Sequence, residues 1–103
     1  MGMNPTIRVM SKAMVERRLI ETSERLKQLR EDLRGAEEQL AHFASEADDA
    51  RLRSLVSETP LAGREHRDAA RHADAMQRHR DEVATEIAQL ELQQDQLLDE
   101  LTA

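Results

Sequence analysis

Leucine returns every seventh residue at Leu19, Leu26, Leu33 and Leu40, and few folds tolerate that spacing. With Leu19 assigned to heptad position a, the a positions from residue 12 are Lys12, Leu19, Leu26, Leu33, Leu40 and Ala47. The d positions are Val15, Thr22, Leu29, Ala36, Phe43 and Ala50. A stripe with this 3–4 spacing stays on one side of a long helix and asks for a partner helix, as in a coiled-coil seam. Gly35 falls inside the helix and costs about 1 kcal/mol against alanine, which a seam on both sides can absorb.

The pattern breaks once, at Ser57-Glu58-Thr59-Pro60. Thr59 has the side chain of an N-cap. Pro60 suits the first helical position, where its missing N–H costs nothing. The proline also pushes Thr59 away from helical backbone angles, so the first helix must stop before it. A second register follows. With Ile87 at a, the a positions are His66, Ala73, Arg80, Ile87, Gln94 and Leu101, and the d positions are Ala62, Ala69, Met76, Val83, Leu90 and Leu97.

The expected fold is therefore all-α: an antiparallel two-helix coiled-coil hairpin over residues 11–103, preceded by a flexible lead over residues 1–10. Helix 1 starts at a Ser11 cap. It ends either near residue 50, with a separate turn up to Val56, or runs unbroken to residue 56 with a stutter in its register. The bend covers residues 57–60 and helix 2 covers residues 60–102.

Composition agrees. Charged residues make up 35% of the 103-residue chain and Phe43 is its single aromatic, too little bulk for a compact globular core. The regular leucines argue against disorder. There is no cysteine, which removes disulfide, thiol and Cys-zinc chemistry. No apolar run approaches the roughly 20 residues of a membrane span, and residues 1–10 lack the apolar stretch of a secretory signal. A cytoplasmic protein is the expectation, and the excess of arginine over lysine, with many alanines, suggests a bacterial source. The net charge of −6 disfavours direct nucleic-acid binding.

Charge also sets the orientation. Residues 8–34 carry eight basic and five acidic groups, while residues 81–103 carry seven acidic groups and no Lys or Arg. Folding back at the bend lays acid on base. In the expected register Arg18 faces Glu100, Glu46 faces His72, Arg30 lies near Glu91, and one pair, Asp32 with Glu86, is repulsive. Thr22 and Gln94 form a polar layer that can fix this register.

A two-helix rod buries little apolar area. Met14, Ile20, Leu92 and Leu98 lie off the seam toward the open end, and Ile20 should neighbour Leu98. They are read as a stripe that joins two hairpins into a four-helix bundle, a homodimer, against the plainer reading of singly exposed residues. At the other end Leu52, Leu55, Val56 and Leu61 are expected to close into a small apolar knot.

No catalytic motif stands out, and the chain is read as a non-enzyme without cofactor. His72 and His79 are one heptad apart, about 10 Å along a helix, too far to share a metal. The other histidines, His42 and His66, complete no ligand spacing, so no metal site is assigned. The remaining character is at the tip: Asp48, Asp49, Arg51, Leu52, Arg53, Leu55, Val56, Glu58, Leu61, Arg64 and Arg67. Arginine grips carboxylates on a protein partner well, so the expected function is a regulatory protein–protein interaction module that binds through this tip. The stretch Glu46-Ala47-Asp48-Asp49-Ala50-Arg51 carries acids at the end of a rod. In that architectural respect alone it resembles the Gre-type and DksA-type regulators of bacterial RNA polymerase. The resemblance implies an alternative role as a transcription regulator that reaches into the polymerase with an acidic tip.

Overall fold

The structure, a computed structural model, describes residues 11–103; the lead expected over residues 1–10 lies outside them. Two helices account for almost the whole described chain: α1 spans Lys12–Ser57 and α2 spans Pro60–Thr102. They pack side by side in opposite directions as a rod with extents of 76 × 28 × 15 Å. At 1.5 Å per residue the 46 residues of α1 reach about 69 Å, so the helix runs nearly the full length of the rod. The shortest extent is that of one helical layer.

Each boundary has a local cause. Ser11 Oγ accepts from the Met14 N–H at 3.1 Å and opens α1. Thr59 is extended, with φ −100° and ψ 153°, and its Oγ1 accepts from the Ala62 N–H at 3.1 Å, with Pro60 opening α2. α1 is continuous to Ser57, so the reading with a break near residue 50 is not the one adopted. The helix closes when Glu58 turns into the left-handed region at φ 52°, its N–H donating to the Ser54 carbonyl at 3.1 Å. Glycine is the usual residue there.

The core is the seam. Val15, Leu26, Leu29, Ala36 and Ala50 of α1 are buried, as are Ala62, Val83, Ile87 and Leu97 of α2. Of all the a and d positions, only Lys12 is fully exposed. Leu26, Leu29, Val83 and Ile87 form the central cluster, with Leu33 and Leu90 against it. Each fully buried leucine contributes about 1.5–3 kcal/mol from water exclusion. Toward the bend the seam turns to alanine, with no third element among the described residues.

Cross-helix contacts fix the register. Arg30 Nη2 donates to Glu91 Oε2 at 2.9 Å, as expected. Glu86 avoids the expected repulsion with Asp32: it takes Arg25 at 2.9 Å, while Asp32 accepts from Gln28. Thr22 is buried, but Gln94 donates to Ser23 Oγ at 3.0 Å rather than to its seam neighbour. Arg80 occupies an a position and extends its head to Glu37 and Asp81. Hydrogen bonds to Asp81 and then to Glu37 hold its guanidinium above the ordinary arginine pKa.

Candidate functional site

The expected tip residues come together. Asp48, Asp49, Arg51, Leu52, Arg53, Leu55 and Val56 lie on the last turns of α1, Glu58 lies in the bend, and Leu61, Arg64 and Arg67 lie on the first two turns of α2. Every one of them is exposed.

The apolar knot does not form. Leu52 is 53% exposed, Leu55 63%, Val56 85% and Leu61 57%. The cause is helical phase. Continuing the register beyond Ala50 puts Ser54 at a, where it is half-buried. Leu52, Leu55 and Val56 then fall at f, b and c, on the outer surface. A connection of two residues, Glu58 and Thr59, is too short to fold that surface back under α2. Leu52, Leu55 and Val56 follow the i, i+3, i+4 spacing that makes one helical patch, and Leu61, also exposed, stands across the bend at the start of α2.

Charge surrounds this patch. Arg51 Nε lies 3.8 Å from Asp48 Oδ1, and Arg71 pairs with Asp68. Among the described residues Arg53, Arg64 and Arg67 have no ion pair. Arg67 lies back over Gly63, its Nη1 3.5 Å from where a β-carbon would stand. The end of the rod thus carries exposed leucines and valine together with Arg64 and Arg67, while Arg53 turns toward the acids Glu46, Glu65 and Asp68 of a cleft below it.

Below the tip the structure has a cleft that the sequence did not single out. It has a volume of about 270 Å³ and is lined by Phe43, Glu46, Ala50, Arg53, Glu65, Asp68, Ala69 and His72. Phe43 stands edge-on between His42, at 5.6 Å, and His72, at 6.0 Å. Glu46 was expected opposite His72. It lines the same cleft, but its nearest basic partner is His42 Nε2 at 3.5 Å. The only signal in the sequence was the lone aromatic at a d position between alanines, which leaves room around the ring. His66 Nδ1 is buried in the seam without a hydrogen-bond partner. Among the described residues no group of three or more His, Asp and Glu is placed to hold a metal ion, and no helix is long and apolar enough to cross a membrane.

The expected stripe at the open end is split. Ile20 and Leu98 line one shallow groove of about 350 Å³ with Leu19, Ser23, Glu24 and Gln94. Met14 and Leu92 are exposed and do not line it. Met14 falls at a c position, on the opposite edge of α1 from Ile20, and Leu92 at an f position on the back of α2.

No family model, curated protein or solved structure matches the chain.

Proposed function

We propose that the chain is a non-enzymatic protein–protein interaction module that docks a partner protein with the tip of the hairpin. One observation carries this reading: Leu52, Leu55 and Val56 are all more than half exposed on one face of the last turns of α1, with Leu61 equally exposed across the bend. Single exposed apolar residues are ordinary on a protein surface, whereas three on one helix face, as Leu52, Leu55 and Val56 are, mark a contact site. Their chemistry suits an anchor of aliphatic side chains entering an apolar groove, and Arg64 and Arg67 suit carboxylates on the partner's rim. A rigid rod end is convex, which favours insertion into another protein over enclosure of a small substrate.

The test is affinity purification of the full chain from its native cell, run beside the Leu55→Ser/Leu61→Ser variant. Loss of the captured protein from the variant, with helicity retained, supports the tip as the site. Retention of the same protein moves the site elsewhere. Recovery of RNA polymerase subunits, lost on Asp48→Ala with Asp49→Ala, would select the transcription-regulator reading.

A further inference from the structure

We propose that the Glu58–Pro60 connection is a conformational lock. It keeps each α1 paired with the α2 of its own chain and rejects the domain-swapped dimer, in which the same seam forms between two copies. The lock does not depend on the tip binding a partner.

The swap is a real competitor. α1 and α2 are antiparallel and joined only by Glu58 and Thr59. If the chain straightens there into one long helix, a second straightened copy, run the other way, offers each helix the partner it now has. The pairs Arg25–Glu86, Arg30–Glu91 and Glu37–Arg80 would all re-form between chains. Short hinges under strain invite this exchange, and Glu58 is strained at φ 52°. Straightening relieves that strain and adds helix.

Two features oppose it. The first is Pro60. At the start of α2 its missing N–H is not needed. Inside a continuous helix it would remove the hydrogen bond to the Val56 carbonyl, and its ring would collide with that group. It also keeps Thr59 from helical angles, and Thr59 is extended, with φ −100° and ψ 153°.

The second is phase. The register of α1 reaches Ser54 at a, half-buried. Carried through the bend as one helix, that register puts Leu61 and Asp68 at a and Arg64 and Arg71 at d. All four are exposed in the hairpin. The residues that α2 withdraws from water are instead Ala62, His66, Ala69 and Ala73. They stand two positions short of the continued register. A straight helix therefore cannot hold both seams against one partner without placing arginines and an aspartate in the second. The bend resets phase as well as direction, and it leaves Leu52, Leu55 and Val56 at the end of the rod. In the swapped dimer they would lie at its middle.

The chain has no cysteine, so one facing pair can be labelled alone. Ser23 and Gln94 meet across the seam at 3.0 Å. Ser23→Cys with Gln94→Cys, joined by a short bismaleimide and denatured, gives a product of one 11.8 kDa chain when the pair lies within a chain, and of two chains when it lies between them. A dimer of intact hairpins still gives the one-chain product, so the assay reads exchange alone. Each protein is refolded from urea at about 1 mM, the order of the effective concentration that a short link confers. The background with no further change, Pro60→Ala alone, and two alanines inserted alone between Ser57 and Glu58 should each give the one-chain product. The insertion combined with Pro60→Ala repairs both phase and helix, and should move most of the product to two chains. Every form keeps all the seam residues, and helical circular dichroism should show all four folded. Two-chain product from the background protein overturns the proposal. One-chain product from the combined variant overturns it too, as does conversion by either change alone.

Discussion

Arg30 on α1 and Glu91 on α2 meet through a 2.9 Å hydrogen-bonded ion pair across the rod, 61 residues apart in sequence. The contact exists only if the chain turns back on itself at the Glu58–Thr59 connection. Both side chains are about half exposed, so solvent screens the pair and its role is to select register. A double-mutant cycle of Arg30→Ala and Glu91→Ala should give a coupling below about 1 kcal/mol that shrinks with added salt. Reversing Arg25 and Arg30 together to Glu should cost more, because four like charges would then face one another near Glu86 and Glu91.

Leu26 and Leu29 are the two large side chains fully enclosed by the seam. Leu26→Ala or Leu29→Ala should each destabilise by about 2–5 kcal/mol, the usual range for a buried leucine. Leu92→Ala, on the exposed back of α2, should stay within about 0.5 kcal/mol. Urea unfolding followed by helical circular dichroism reads both.

The bend carries a removable strain. Glu58 holds φ 52° without being glycine, a conformation that costs L-residues roughly 1 kcal/mol or more. Glu58→Gly should raise stability by about 0.5–1 kcal/mol despite its larger unfolded-state entropy. Thr59→Ala should lower it by about 1 kcal/mol through loss of the cap to the Ala62 N–H. A paired thermal-unfolding series on these two variants checks opposite signs at adjacent positions.

Gly35 sits in mid-helix, and a β-carbon there would meet nothing within 4 Å. Gly35→Ala should therefore stabilise by about 1 kcal/mol from helix propensity alone. An unchanged or lowered midpoint in the same unfolding assay would mean that a neighbour occupies that space in solution.

The seam was legible because it rests on a period: the a and d positions from Leu19 to Leu101 are the ones withdrawn from water. Orientation was legible because charge is unevenly spread between residues 8–34 and 81–103. What failed was local. Leu52, Leu55 and Val56 were expected to fold inward because they are apolar, yet carrying the register on to Ser54 already puts them on the outside. Hydrophobicity was read where phase decides. The Gln94–Ser23 bond and the Arg25–Glu86 pair were missed because side chains beside a seam reach neighbours a residue or more from the nominal facing position. The left-handed Glu58 had no marker, since no glycine or asparagine stands there.

The most direct test of the tip as the docking surface is quantitative capture from native-cell extract by three forms of the chain: wild type, Leu55→Ser/Leu61→Ser, and Leu92→Ser as an exposed apolar control away from the tip. The account predicts a partner recovered by wild type and Leu92→Ser and depleted at least tenfold with the tip variant, all three having equal helicity. Equal recovery by all three would contradict it.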